Sequence, residues 1–364
     1  MPDILIAISG GVDSAIAAWK MQTDGYACQV ATMQLFGNGD IPHCQELAQK
    51  FEMPFHVFDY TNEFRAHVIT PFVQTYLVGR TPNPCVACNR FLKFDQFLRK
   101  AQELDIPLIA TGHYAQIEHD PASNRYMLKK AVDETKDQSY VLYTLTQRQL
   151  AQIVFPLGTV RKNEVRSIAE SLSLPLADRR ESQDLCFVPD GDYATFIEQY
   201  TGQHCLPGNF VDKTGKVLGQ HKGLIRYTIG QRKGLGIAAP APYYVCEHNL
   251  TDNTVILGSP EDLLVQSLTA TDINLIPFDR IEGALRAIVK VRYRQQGDWA
   301  TVRQIDADTL DIIFDEPQKA VARGQAAVLY DGDYVLGGGT IAQTSDCAVL
   351  SCRSPAKKDK QQCC

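Results

Sequence analysis

Apolar positions in the first half of the chain fall in short unbroken runs, and the stretches between them carry apolar residues at helical spacing. The runs predict buried strands over 3–9, 27–35, 54–58 and 107–111. The intervening pattern predicts helices over 12–22, 44–51, 64–77 and 90–104. Strand and helix alternating in this way give an α/β unit, a doubly wound parallel sheet with helices on both faces. Such sheets bind ligands at the carboxyl ends of their strands. Further helices are predicted over 163–172 and 193–200, with a short apolar run at 185–188. From Gly202 the texture changes: turns such as Lys213-Thr214-Gly215-Lys216 and Asp331-Gly332 separate short β-branched runs at 254–257, 287–291 and 309–314. This second half reads as all-β, a small β-rich central domain followed by a C-terminal β-barrel. The boundaries implied are 1–200, 201–260 and 261–350, with a polar tail over 351–364 expected to be disordered.

Length and composition narrow the class. A chain of 364 residues has room for two or three domains, each able to bury a core. With 15 Phe, 15 Tyr and 21% charged residues it is not a disordered chain. No run approaches the roughly 18 apolar residues of a membrane span, and the first residues lack the flank and core of a signal peptide, so the chain reads as cytoplasmic with no membrane partner. Eleven cysteines, an odd number without an export signal, point to thiol chemistry, metal ligation or burial rather than to a disulfide framework. A net charge of −6 excludes a wholly basic nucleic-acid binder and leaves local basic patches open.

Three segments carry candidate chemistry. Ser9-Gly10-Gly11-Val12-Asp13-Ser14 lies between the first strand and the first helix. Adjacent glycines let the backbone approach an anion, and the helix N–H groups behind them carry partial positive charge. No Lys follows the glycines, so this phosphate cradle is not of the Walker type. The second segment, Arg80 to Arg90, contains Cys85 and Cys88 in a C-x-x-C that admits metal ligation, redox exchange, or a nucleophile with an incidental neighbour. With its helix beginning near residue 90, Cys88 is expected at a helix N-terminus with a lowered pKa. A zinc ribbon would need further ligands, and no second C-x-x-C or spaced His pair occurs. The third segment is Ser182-Gln183-Asp184-Leu185-Cys186-Phe187-Val188. Cys186 alone reads as a core residue; beside Cys88 and a phosphate loop, two thiols suit sulfur transfer, one carrying a persulfide and the other resolving it.

The hexapeptide SGGVDS resembles the loop of the N-type ATP pyrophosphatases. The segments GRTPNPCVACNRFLKF, ATGHYA, KDQSYVLYTL, SQDLCFV, HKGLIRYTIGQRKGLGI, KVRYR and FDEPQKAVARGQAAVLYDGDYVLGGG occur in the order found in the tRNA-specific 2-thiouridylases. The resemblance spans about residues 4–341. It implies ATP, with Mg²⁺, adenylating the C2 oxygen of a wobble uridine in tRNA, after which sulfur displaces AMP. It further implies Cys186 as persulfide carrier and Cys88 as the cysteine that attacks it, leaving a Cys88–Cys186 disulfide. Ala7, Ile8, Ser9, Gly10, Gly11, Val12, Asp13, Ser14, Met33 and Gly112 are implied around ATP. Asn83, Pro84 and Cys85 are implied around the target base. Lys136, Asp137, Gln138, Arg292 and Tyr293 are implied as tRNA contacts, with His113 and Gln325 as weaker ones. The resemblance also implies a sulfur donor, a persulfide carrier or a cysteine desulfurase relay.

Two departures stand out. Cys85 occupies a position where many members have Asp, so Cys85, Cys88 and Cys186 could instead ligate three irons of a 4Fe–4S cluster whose fourth iron binds sulfide. The connection between Met33 and Cys44 is also short where many members carry an acidic insertion. In the β half, Lys213, Lys216, Lys222, Arg226, Arg232 and Lys233 occur without an intervening acid. Arg286, Lys290, Arg292 and Arg294 alternate with Ala287, Val289, Val291 and Tyr293, a period of two that puts charge on one face. A folded RNA gripped by its phosphates suits these patches. Two other readings compete. An amidotransferase or ligase of the same loop superfamily acting on a small carboxylate leaves Cys186 without use. A non-catalytic RNA-binding module with a metal at Cys85 and Cys88 leaves the phosphate loop without use.

Overall fold

The computed structural model describes residues 2–37, 40–174 and 185–346. The predicted tail, Cys347, Cys352, Cys363 and Cys364, and the segment Ser182 to Asp184 lie outside the described residues.

β1 (Asp3–Ala7) is the central strand, and Ile4, Leu5 and Ile6 within it are fully buried. Alternation sends Ile4 and Ile6 into one core and Leu5 and Ala7 into another, so each face of the sheet is covered. β2 (Ala27–Gln34) and β3 (Phe55–Asp59) add on one side of β1, and β4 (Leu108–Thr111) on the other. Next in the chain come the hairpin β5 (Ala115–Asp120) and β6 (Arg125–Lys130), then β7 (Ile153–Val154), which extends the first sheet beyond β4. The order β3-β2-β1-β4-β7 is parallel throughout. The direction of winding reverses at β1, so a crevice opens where β1 and β4 end.

The central domain is a four-stranded sheet of β8 (Gly208–Val211), β9 (Val217–His221), β10 (Tyr244–Asn249) and β11 (Thr254–Gly258), ordered β10-β11-β8-β9. Phe210, Val245, Val255 and Leu257 form its core. The remaining strands are β12 (Leu264–Leu275), β13 (Leu285–Lys290), β14 (Asp298–Gln304), β15 (Thr309–Lys319), β16 (Ala326–Asp331) and β17 (Tyr334–Asp346). They run β12-β15-β14-β13-β16-β17, and β12 pairs back to β17 to close a six-stranded barrel.

The barrel is not a separate bead. β6 pairs with β17 through Tyr334↔Lys129 and Val335↔Leu128. A single core cluster holds Leu5, Ala7 and Ile109 of the parallel sheet together with Ile276, Ala326, Val328, Tyr330 and Val335 of the barrel region. The polar groups at the seam are satisfied across it: Asn274 donates to the carbonyls of Tyr143 and Leu145, Tyr140 donates to that of Ala326, and Arg125 donates to that of Ile276.

In β13 the predicted alternation holds for Ala287 and Val289, and for Val291 just beyond it, all fully buried. It stops there: the strand ends at Lys290, and Tyr293 lies exposed in the following turn rather than in the core. No helix among the described residues is long and apolar enough to cross a membrane.

Candidate functional site

The loop after β1 closes on itself before the helix Val12–Thr23. Ser14 Oγ accepts the Ser9 N–H at 3.1 Å and donates to the Gly11 carbonyl at 3.0 Å. Gly10 has φ +76°, and a Cβ there would lie 2.9 Å from Asp40 Oδ2, so both backbone and space demand glycine. Across the crevice, a Cβ on Gly112 would meet the backbone of Asp13 and Ser14 at 2.9 Å. The end of β4 thus packs directly on the start of the phosphate-loop helix. Met33, half-buried near the end of β2, completes the row of strand ends.

A network absent from the sequence reading anchors this helix. Asp13 receives both bonds from Lys162 Nζ, at 2.6 and 2.7 Å, and one from Tyr114 Oη at 2.7 Å. Lys162 opens the helix Lys162–Ser171 with only 10% of its side chain exposed, and it approaches the Tyr114 ring. Gln138 fixes Tyr114 in turn, its side-chain oxygen accepting the Tyr114 N–H and its own N–H bonding the Tyr114 carbonyl.

The thiol-bearing helix begins earlier than its apolar pattern predicts. Asn83 caps it by accepting the Val86 N–H, and Pro84 takes the first position, where its missing N–H costs nothing. The helix Pro84–Cys88 continues as wide, π-type turns over Asn89–Gln96 and as α-helix over Phe97–Glu103. Cys88 is therefore one turn inside the helix and 8% exposed, packed with Phe64, Phe72, Leu92 and Phe187. The expected lowering of its pKa is overturned: burial pushes the thiol up to about 11, with Lys93 opposing. Removal from water outweighs the helix dipole here. Cys85 and Cys186 are exposed, yet the surrounding protein raises both thiols too, again against the pull of Lys93. The three sulfurs lie near enough to feel one another's charge, and each is a free thiol. Among the described residues no three His, Cys, Asp or Glu side chains converge to hold a metal ion, so this cysteine trio as placed does not form a cluster's ligand set.

His113 joins the two halves of the site. It follows Gly112, donates to or accepts from Thr111 Oγ1 at 2.7 Å, and packs its ring on Phe94 of the thiol helix and on Phe155. It is 7% exposed, and burial, aided by Lys93, holds its pKa well below the usual imidazole range. The imidazole is thus neutral and enclosed between the thiol helix and Phe155.

The remaining predicted contacts hold backbone at several points of the chain. Gln325 donates to the carbonyls of Thr81 and Pro82, so the barrel holds the loop leading to Asn83. Tyr293 Oη donates to the Asp137 carbonyl, and the Asp137 carboxylate is taken up by the N–H groups of Ala131 and Ser139 and the Ser139 hydroxyl. Lys136 is half-buried beside it. Arg292 is exposed and donates to the carbonyls of Ile229 and Ala320, tying the central domain to the barrel. Of the predicted basic face, Arg286 pairs with Asp315, Lys213 with Asp262, and Arg226 with Glu198, while Lys290 lies over the rings of Tyr140 and Tyr330. Lys216, Lys222, Arg232 and Lys233 on the central domain are exposed. The sequence reading missed Lys93, Tyr114 and Lys162; only the position of Lys93, five residues after Cys88, was there to be noticed.

Three family models match consecutive parts of the chain: a tRNA methyl transferase HUP domain over residues 2–190, a tRNA methyl transferase PRC-barrel domain over 194–259, and an aminomethyltransferase β-barrel domain over 265–341. The chain is 42% identical to a tRNA-specific 2-thiouridylase MnmA of Clostridioides difficile, covering 94% of this chain and 98% of that protein. It is 43% identical to one of Acetivibrio thermocellus, covering 93% and 98%. A solved 4-thiouridine synthetase in complex with RNA and ATP aligns over 54% of this chain and 50% of that one at 15% identity and a TM-score of 0.34, too distant to add to these matches.

Proposed function

We propose a reaction course for this chain, which belongs to the tRNA-specific 2-thiouridylase family on the strength of its full-length matches to curated members. It is a sulfurtransferase that thiolates tRNA by way of adenylation. The loop Ser9 to Ser14, with Ala7, Ile8, Met33 and Gly112 around it, takes ATP at the crevice where β1 and β4 end. The wobble uridine, drawn out of its stack, enters beside Asn83, Pro84 and Cys85. Its C2 oxygen attacks the α-phosphate, releasing pyrophosphate.

The terminal sulfur of a persulfide on Cys186, loaded by an external protein persulfide, then adds at C2 and expels AMP. Cys88 attacks Sγ of Cys186. The Cys88–Cys186 bond forms, the older sulfur–sulfur bond breaks with its electron pair moving to the sulfur on C2, and a proton returns to the uracil ring. A dithiol reductant reopens the disulfide for the next turnover. Cys85 contributes neither step, and the cluster alternative is set aside because the thiols as placed do not form its ligand set.

One observation supports this arrangement above the others. Consecutive residues, Gly112 and His113, touch the phosphate-loop helix on one side and the thiol helix on the other. Activation and sulfur transfer thus share one wall. Asp137, Gln138, Lys136, Tyr293 and Arg292 line or brace the tRNA side, and Gln325 and His113 act by positioning. The test is single-turnover thiolation of a wobble-uridine tRNA by the Cys85→Ala, Cys88→Ala and Cys186→Ala variants, with iron and labile sulfide assayed after anaerobic purification. Loss in the last two, with activity kept by iron-free Cys85→Ala, is the expected result. Full activity in Cys186→Ala refutes the course.

A further inference from the structure

Lys93 is half-buried on the thiol helix, and among the described residues it makes no hydrogen bond or ion pair. The other charged groups of that run are engaged, Arg90 with Asp272 and Asp95 with Arg99. A half-buried cation beside a cluster of thiols, with no fixed partner of its own, is placed to meet a charge that arises during function.

The helix geometry shows where that charge arises. At the 100° per residue of an α-helix, a residue five positions on lies about 140° round the axis. The wide turns start on the residue after Cys88 and run Asn89–Gln96, with Phe97 N–H bonding back five residues to the Leu92 carbonyl. A turn closed between positions five apart returns Lys93 to the side of the helix that Cys88 occupies. Wide turns of this kind recur at functional sites because they re-aim a side chain without breaking the helix.

The groups that Lys93 faces come from three elements: Cys85 and Cys88 on its own run, Cys186 on the loop leading to the helix Tyr193–Thr201, and His113 at the end of β4. The imidazole is neutral, burial raises the Cys88 thiol to about 11, and the Cys85 and Cys186 thiols are also shifted upward, so none offsets the ammonium at neutral pH. In the reaction course above, two events place an anion here, the persulfide sulfur on Cys186 as it adds at C2 and the ionisation of Cys88 before it attacks Sγ of Cys186. The wide turn puts Lys93 on the side of Cys88, the thiol that burial disfavours most as an anion.

We infer that Lys93 is the counter-charge for the Cys88 thiolate, a residue that promotes sulfur release in addition to the two cysteines. The proton leaves Cys88 for solvent. The sulfur–sulfur exchange is balanced as written above, with Lys93 neither gaining nor losing a bond. The inference rests on the proposed course, but its central claim is measurable without it.

The experiment uses the full chain as wild type, Lys93→Met, Lys93→Arg and Lys93→Gln. Modification of Cys88 by a small methanethiosulfonate is followed against pH by site-resolved mass spectrometry. The expected result is a Cys88 profile displaced upward in Lys93→Met and Lys93→Gln, so that at a given pH below the midpoint modification is roughly tenfold slower, while Lys93→Arg stays near wild type. Superimposed profiles overturn the inference, and Lys93→Gln keeps that outcome readable if Lys93→Met fails to fold. Single-turnover thiolation separates the two layers. Lys93→Met should release pyrophosphate at the wild-type rate and accumulate tRNA disulfide-linked to Cys186. A displaced Cys88 profile alongside thiolation that survives Cys186→Ala would uphold the pairing and reject the course.

Discussion

Replacing Lys162 with Met tests whether the phosphate loop is held in place by charge. The substitution keeps most of the buried aliphatic stem and removes the ammonium, deleting two bonds of 2.6 and 2.7 Å and leaving Asp13 with Tyr114 alone. Removing one partner of a buried pair costs about 3–5 kcal/mol. Asp13 is 33% exposed, so water restores part of its solvation, and a loss of about 2–3 kcal/mol is expected. In a unit of this size that corresponds to a melting temperature lower by about 4–12 °C. Because Asp13 sits in the first turn of the loop helix, ATP binding should weaken by about tenfold in parallel. Calorimetric melting and equilibrium ATP binding measure the two effects, and the Asp13→Asn/Lys162→Met pair completes a double-mutant cycle whose coupling should exceed about 1.5 kcal/mol. A Lys162→Met protein that melts within 1 °C of wild type and binds ATP equally well would refute the reasoning.

Other consequences follow from single contacts. Gly112→Ala forces a methyl against the Asp13 and Ser14 backbone at 2.9 Å, so ATP affinity should fall at least tenfold while the barrel stays folded, as followed by nucleotide titration and circular dichroism. A Cys88 pKa raised to about 11 leaves the thiol protonated at neutral pH; its alkylation rate should climb about tenfold per unit from pH 7 and plateau only near pH 11, and a plateau by pH 8 would contradict the burial argument. Gln325→Ala frees the carbonyls of Thr81 and Pro82, and kinetics should show a raised KM for tRNA with ATP binding unchanged. Four exposed cations on the central domain, Lys216, Lys222, Arg232 and Lys233, each meeting one phosphate, would make tRNA binding fall roughly 50- to 150-fold between 50 and 200 mM salt. A flat response in a filter-binding assay would remove these residues from the interface.

The parallel sheet was legible because its strands are buried on both faces and therefore read as unbroken apolar runs. The hairpin β5–β6 was not, since it is half-buried and its pattern is masked by charged residues such as Glu118, Lys129 and Lys130. Its one local sign, the turn over 121–124 ending in Asn124 at φ +54°, is a signal only once a strand on each side is suspected. The thiol helix misled for a different reason: its apolar period begins near residue 90, but the Asn83 cap and Pro84 start it two turns earlier, which turns a terminal thiol into an enclosed one. The motif residues of the phosphate loop were visible as a contiguous string. Their anchor was not, because Lys162 and Tyr114 reach Asp13 from 149 and 101 positions away.

The union of β6 with β17, and the core shared across that seam, make the two large parts of the molecule one gauge block. On the proposed course, a tRNA clasped by the β half is measured against a fixed origin at the end of β1, so only a nucleotide at a set distance from the clasp is presented to the chemistry. Selection of one base among many can in this way be a matter of length, built into the framework before any base edge is read. It also means the barrel cannot be exchanged for another binding module like a cartridge, because cutting it away would strip Tyr330, Val328 and Val335 from the interior of the catalytic half.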